Sequence, residues 1–412
     1  MSSNSERVAL AFSGGLDTTV CVPLLEEEYG YDEVLGITVD VGQPEDEFEE
    51  AEETAEALDL EHRVVSAKEA FADLCFDAVR ANATYQGYPL GTALDRPVIA
   101  ERILEVAREH DCSALAHGST GKGNDQLRFE AVWRGSDLDV LAPVRELGLT
   151  REFEQEYAAE RDLPVEGGDE GAYSIDTNLW TRSVEGSELE EPDYVPGEEI
   201  YEWTETPGKG TERLEIEFEK GVPIALDRTE LDPVSLIEQL NELAGEYGVG
   251  RTDVMEDRML GLKVRENYEH PAATVLLNAH EALENLVLTK EERSFKQQVD
   301  HQWAEMGYKG LVNAPLVAAL RIVHRDDERA RDRHSRHKTR RRSGTASRSR
   351  ERVRRLLRRG GLVRHRDGRR HYAGRRNGCR QIPRLSGTAR QRRPRPGGRA
   401  RERGSRRRWR CR

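Results

Sequence analysis

Through the first 150 residues, short apolar runs alternate with longer segments whose apolar positions recur at helical spacing. Val8-Ala9-Leu10 reads as a strand, and Thr18 to Tyr29, with Val20, Leu24 and Leu25, as a helix. Val34 to Val41 is a nearly continuous β-branched run stopped by Gly42-Gln43-Pro44, and Glu45 to Leu60 sets Phe48, Ala51, Ala55 and Leu58 on one helical face. A strand at Arg63 to Ser66, helices over Lys68 to Ala81 and Arg96 to His110, and a strand at Ser113 to His117 continue the alternation. A fifth strand is predicted at Val140-Leu141-Ala142 with Val144, broken by Pro143. Apolar strands separated by helices predict an α/β fold with a doubly wound parallel sheet, and ligands beyond the carboxyl ends of its strands.

The pattern changes after about Asp169. Residues 169–212 are rich in Glu, Pro, Gly and Tyr without a clear period, and Leu214 to Glu219 alternates like a half-exposed strand. Val222 to Leu226 is its predicted partner, helices are predicted over Asp232 to Tyr247 and Pro271 to Leu288, and Ala318 to Leu320 is the last helical piece. This predicts an α+β domain over 169–320, following a nucleotide-binding domain over 1–168. Residues 321–412 have no hydrophobic period and are expected to be a disordered, arginine-rich tail.

Charge divides the chain at the same place. From Arg321 onward there are 36 arginines and one lysine against seven acids, whereas the first 320 residues hold 26 bases against 70 acids. A body this acidic and lysine-poor resembles proteins of salt-loving archaea, in which molar salt screens charge to within roughly 3 Å. It argues against nucleic acid as a partner of the body. The tail reads as a shifted reading frame in G+C-rich DNA, because the change falls inside the amphipathic run 311–320 and not at a linker. The alternative is a genuine basic arm that binds nucleic acid.

Cys21, Cys75, Cys112, Cys379 and Cys411 form no CxxC pair or metal-ligand spacing, so scattered reduced thiols are expected. No stretch approaches the roughly 20 apolar residues of a membrane span, and the polar N-terminus carries no secretory signal. A cytoplasmic protein is expected.

The first strand opens directly into Ala11-Phe12-Ser13-Gly14-Gly15-Leu16-Asp17-Thr18-Thr19. A strand, tight glycine turn and helix aim backbone N–H groups at one point, which suits a phosphate. Gly14 and Gly15 are expected to supply positive φ and close approach, Ser13 a hydroxyl donor, and Asp17 a helix cap or a Mg2+ ligand. This string resembles the pyrophosphate loop of N-type ATP pyrophosphatases, which cleave ATP between its α and β phosphates.

Further constellations follow in order: Tyr88-Pro89-Leu90-Gly91-Thr92, His117 to Glu130, Ala172 to Trp180, and Glu256-Asp257-Arg258 with Tyr268 beyond it. The glycines and Lys122 of His117 to Glu130 suit an anion but do not fit the GxxxxGK[ST] spacing of a P-loop. Taken singly, Arg128 would be a solvated helix residue and Tyr88 or Tyr268 a packing residue. Together, SGGLDT, YPLGT, HGSTGKGNDQLRFE, AYSIDTNLW and EDRMLGLKVRENYEHP resemble the argininosuccinate synthases over about residues 6–320.

That resemblance implies ligation of citrulline and aspartate, with ATP converted to AMP and pyrophosphate in the presence of Mg2+, as a step of arginine biosynthesis. By position it implies an ATP site of Ala11, Phe12, Ser13, Gly14, Gly15, Leu16, Asp17, Thr18, Thr19 and Gly118. It implies an aspartate site of Thr120, Asn124 and Asp125, and a citrulline site of Tyr88, Asn124, Arg128, Ser174, Ser183, Glu256 and Tyr268. Asp17, Asn124 and Arg128 are expected to carry the catalytic roles. Two positions depart: Ala93 stands where the family usually has serine, and Phe12 where tyrosine is common. The family's homotetramer depends on C-terminal elements that nothing in residues 321–412 resembles. Another ATP pyrophosphatase, such as an amidotransferase or a tRNA-thiolating enzyme, is the rival enzyme. The thiolating enzyme calls for active-site cysteines and a basic face that this body lacks.

Overall fold

The computed structural model describes residues 6–165, 173–325 and 351–358, all within one compact unit. Five strands, β1 (Arg7–Ala11), β2 (Glu33–Asp40), β3 (Glu61–Ser66), β6 (Ala114–His117) and β7 (Asp139–Leu141), form a parallel sheet in the order β3-β2-β1-β6-β7. Between them run α1 (Leu16–Glu27), α2 (Glu45–Ala57), α3 (Lys68–Arg80), the small hairpin β4 (Thr84–Tyr85) and β5 (Tyr88–Pro89), α4 (Thr92–Glu109), and α5 (Asp125–Trp133). After β7 come α6 (Pro143–Glu146) and α7 (Arg151–Glu160).

Successive residues of β1 serve opposite faces of the sheet. Val8, Leu10 and Phe12 pack with Cys21 and Leu25 of α1, Ala55 of α2 and Val144 of α6. Ala9 packs with Phe71 of α3 and with Leu94 and Ile103 of α4. Burial on both sides is why these strands lack polar alternation. Val144 is not a strand residue as predicted, because Pro143 opens α6 at a position where its missing N–H costs nothing.

The chain winds outward from β1 through β2 to β3, then returns to β6 on the other side of β1. The switch therefore lies between β1 and β6, where loops diverge and leave a crevice. A Cβ on Gly118, just after β6, would lie 3.1 Å from the Asp17 carbonyl carbon and 3.1 Å from Thr18 Cγ2. The two loops touch because residue 118 has no side chain.

The remaining elements are β8 (Ser174–Thr177), β9 (Arg182–Glu185), β10 (Thr211–Glu219), β11 (Val222–Leu226), β12 (Thr229–Glu230), α8 (Pro233–Glu246), β13 (Arg251–Asp257) and β14 (Lys263–Glu269). Long helices α9 (Pro271–Val287) and α10 (Lys290–Tyr308) follow, then a helix over 315–325 and the strand β15 (Glu351–Arg358). An antiparallel sheet β13-β14-β9-β8 brings Ser183 opposite Tyr268, and a second sheet has the order β12-β11-β10-β15.

Two findings differ from expectation beyond residue 320. The helix over 315–325 crosses that position, since Val317, Leu320 and His324 form one buried face and His324 Nε2 lies 2.8 Å from Asp300 Oδ1. The periodicity is carried there by a buried polar residue. Glu351–Arg358, in the stretch expected to be disordered, pairs with the otherwise open edge of β10, with Glu215 opposite Arg354 and Glu217 opposite Arg352. The rest of the predicted tail, 326–350 and 359–412, lies outside the described residues.

Candidate active site

A cavity of about 1290 Å³ opens at the carboxyl ends of the parallel strands. Seven of the nine residues from Ala11 to Thr19 line it, as do Gly118, Thr120, Asn124, Asp125 and Arg128. Tyr88, Ser174, Ser183, Glu256 and Tyr268 line it from the hairpin and the antiparallel sheet. The two exceptions, Gly14 and Thr19, support the loop from behind.

Gly14 has φ +77°, and a Cβ there would come within 2.8 Å of Ala51 Cα, so glycine is demanded by the packing of α2 as well as by the turn. Thr19, fully buried, donates through Oγ1 to the Gly14 carbonyl at 3.1 Å. Gly15 differs from expectation: it is the extended N-cap of α1 with φ −72° and does not use positive φ. Asp17 does not cap the helix but sits in its first turn. There it faces Glu154 of α7, whose carboxyl is pushed up to about 7 by burial and then by the charge and hydrogen bond of Asp17. Thr18 Oγ1 accepts from Ser13 N at 3.3 Å and donates to the Gly15 carbonyl at 3.1 Å, closing the turn.

At the opposite end, Glu256 is 3% exposed and its carboxylate accepts from the hydroxyls of Tyr88 at 2.5 Å, Tyr268 at 3.0 Å and Tyr308 at 2.5 Å. Tyr88 stacks on Tyr268 with ring centroids 4.4 Å apart. Burial, together with the neighbouring Glu256 carboxylate, holds the Tyr88 hydroxyl well above its ordinary pKa, so it stays a donor. The Glu256 carboxylate is thus fixed from three sides by hydroxyl donors, a geometry that suits an ammonium or ureido N–H.

Between the two ends lies a band of arginines and aspartates. Asp125 is held by Arg96 Nε at 3.0 Å and Arg128 Nη1 at 2.9 Å. Burial pushes its carboxyl up, but the two guanidinium groups outweigh burial and hold it below the usual range. Arg96 also binds Asp95 at 3.0 Å and Asp176, so one cation serves three carboxylates. Asp95, fully buried, is pushed up to about 7 despite Arg96. Arg128 is anchored further by the Tyr308 carbonyl, and Asn124 Oδ1 accepts from Met259 N at 3.0 Å.

One cavity thus joins the glycine loop of Ala11 to Thr18 to a buried carboxylate held by three tyrosines. Residues 7–164 match the family model for the arginosuccinate synthase N-terminal HUP domain, and residues 173–332 that for the arginosuccinate synthase C-terminal domain. The chain belongs to the argininosuccinate synthase family. It is 80% identical over 318 residues to the argininosuccinate synthase of Natronomonas pharaonis, covering 77% of this chain and 80% of that protein. It is 72% identical over 321 residues to that of Haloarcula marismortui, covering 78% and 76%. Against the Methanosarcina barkeri enzyme the identity is 54% over 330 residues, covering 79% and 84%. The first two sources are halophilic archaea, in keeping with the acidic body.

Within this argininosuccinate synthase fold, further residues line the cavity or stand directly behind its wall. Arg96 reads in the sequence only as the start of a helix, with no charge pattern to mark it. Arg258 binds Glu185 and, at 2.9 Å, Glu266, and lines the cavity beside Glu256. Tyr308 had no motif at all. Thr92 and Ala93 both line the cavity, and the Thr92 hydroxyl is engaged by Asp176. Phe12 supplies its carbonyl to Thr38 Oγ1 at 2.7 Å, a backbone role indifferent to the missing hydroxyl. Lys122 is exposed on the cavity wall.

Cys21, Cys75 and Cys112 are buried free thiols, with burial pushing Cys112 up to about 11; Cys379 and Cys411 lie outside the described residues. Among the described residues, no helix is long and apolar enough to cross a membrane.

Proposed function

We propose that this cavity joins citrulline to aspartate through a citrullyl-adenylate. The ureido oxygen of citrulline attacks the α-phosphate of ATP, and pyrophosphate leaves into the loop of Ala11 to Thr19. The aspartate amine then displaces AMP. The observation that carries this reading is the single continuous cavity with a phosphate loop at one end and a tyrosine-held glutamate at the other. Arg128 would pair the citrulline carboxylate, and Glu256 its ammonium, with Tyr88, Ser174, Ser183 and Tyr268 completing the site. Thr120 and Asn124 would take an aspartate carboxylate and Asp125, kept ionised by two arginines, the amine.

AMP is a good leaving group, so positioning is the main contribution of these side chains. Asp17 and Gly118 would hold the nucleotide end. Among the described residues no group of three or more His, Cys, Asp or Glu is placed to hold a metal ion. The Asp17 carboxylate beside a phosphate loop does fit Mg2+ carried on the nucleotide, where phosphate oxygens and water supply most ligands. The ion would neutralise charge on departing pyrophosphate.

The reading includes a nucleotide-binding domain over 1–168, a synthetase domain over 169–320, a cytoplasmic location and, for a chain with the family's C-terminus, a homotetramer. Residues 321–412 would be the product of a shifted frame, although the helix over 315–325 and the family match to residue 332 favour a junction later than 320. Resequencing the coding DNA past Leu320 should give an acidic, helix-patterned continuation in another frame. If only the arginine-rich frame is open, that part of the reading fails. For the reaction itself, pyrophosphate release in molar salt should require ATP and citrulline together. Equal release from ATP alone would rule out the assignment.

A further inference from the structure

Tyr308, at the C-terminal end of α10, is 1% exposed and stands behind the cavity wall, not in it. Its hydroxyl donates to Glu256 Oε1 at 2.5 Å and accepts from Asn124 Nδ2 at 3.0 Å. Its main-chain carbonyl accepts from Arg128 Nε at 3.3 Å and Nη2 at 3.2 Å. The ring lies flat on Tyr85, with centroids 3.6 Å apart and planes 10° from parallel. One residue thus touches three side chains that line the cavity from two elements: the glutamate on β13 and the asparagine and arginine at the start of α5.

We propose that Tyr308 is the positioning residue of the citrulline pocket, fixing the separation and aim of Asn124, Arg128 and Glu256 without contacting substrate. This rests on the citrulline assignment given above. A tyrosine hydroxyl can donate once and accept at the same time, which lets it sit between a carboxylate and an amide N–H. Without it, the Asn124 amide keeps Met259 N on its oxygen but loses the acceptor of its N–H in a buried site, and Glu256 keeps two donors that both approach from the Tyr88–Tyr268 stack. Arg128 would stay in place, since its anchor is a backbone carbonyl. The hydroxyl therefore acts on Glu256, which would face citrulline's ammonium, and on the shared Asn124, and makes no contact with the loop of Ala11 to Thr19.

The test is Tyr308→Phe in the full chain, which keeps the ring, the stack and the carbonyl. The citrulline KM is expected to rise about 10- to 100-fold, the range for a lost hydrogen bond to a charged group. The aspartate KM should rise less, through Asn124, and the ATP KM should stay within about twofold because the loop is untouched. The thermal midpoint should move little. An unchanged citrulline KM would overturn the proposal, as would parallel loss of all three substrates with a lowered midpoint. Tyr85→Leu, which removes the stacking surface but not the hydroxyl, is expected to give the same selective rise in smaller measure, and serves if the first variant does not fold. A wild-type chain that shows no citrulline dependence would instead reject the underlying assignment.

Discussion

The loop end of the cavity comes from one stretch, Ala11 to Thr19, whereas the proposed citrulline end is assembled from Tyr88, Asn124, Arg128, Ser174, Ser183, Glu256 and Tyr268. In the first, function rests on backbone geometry, and its supports are a carbonyl, a positive φ and a helix packed against a glycine. In the second, the side chains hold one another: three tyrosines fix the Glu256 carboxylate, and Arg128 pairs with Asp125 of the adjoining band. A backbone device has one way to be right and fails abruptly. A side-chain network loses one partner at a time and should fail by degrees.

The sharpest way to break that contrast is Gly14→Ala. The new Cβ meets the α2 backbone at 2.8 Å in a left-handed conformation, so strain and overlap together should cost about 2–5 kcal/mol. Citrulline-dependent exchange of pyrophosphate into ATP should fall at least about 100-fold, as expected for misplaced reacting groups. Normal exchange would show that the loop is not the phosphate site. Next comes Glu256→Gln, which keeps the shape and removes the charge. The citrulline KM should rise about 10- to 100-fold with the ATP KM unaltered. Equal effects on both would mean that the two ends are not separable.

Gly91→Ala probes the seam between the ends. Its Cβ would fall 1.9 Å from Thr181 Oγ1, in a buried contact, and should cost about 1–3 kcal/mol of stability by denaturant titration. Thr181→Ala in the same chain should recover part of that loss, and strict additivity would contradict the contact. The smallest effect is a pH dependence. Glu154 is raised from 4.5 to about 7, chiefly by burial and then by Asp17, so its neutral form is favoured in the folded chain. Its contribution is complete below the unfolded value and is lost as pH rises through 7. Glu154→Gln should flatten the midpoint against pH between 4.5 and about 7, and an unchanged slope would place the titration elsewhere.

The same contrast explains what could be read in advance. The loop and the parallel sheet were legible because contiguous apolar strands and a contiguous glycine motif report their own geometry. The citrulline end was legible only through resemblance, since Glu256 and Tyr268 lie on strands whose inward faces are polar. Glu256, Glu266 and Asn267 are all buried there, which hides the period of two. Helix α10 was missed for a related reason. Its buried face carries Lys296 and Asp300, joined to each other at 2.7 Å and to Glu284 at 2.8 Å, so the expected apolar stripe is broken by a closed set of charges. Tyr308 went unnoticed with it.

The pairing of β15 on β10 carries a consequence for how copies of this chain behave towards one another. β10 offers a nine-residue edge in which Glu212, Glu215, Glu217 and Glu219 recur. A second β10 laid antiparallel on that edge would set glutamates beside glutamates, while β15 brings arginine positions opposite Glu215 and Glu217. At low ionic strength the edge should thus refuse its own kind and accept a basic strand. In molar salt that discrimination weakens as charge is screened over about 3 Å. Light scattering of a chain ending before residue 351 would then grow with salt, the reverse of what screening does for the acidic body as a whole.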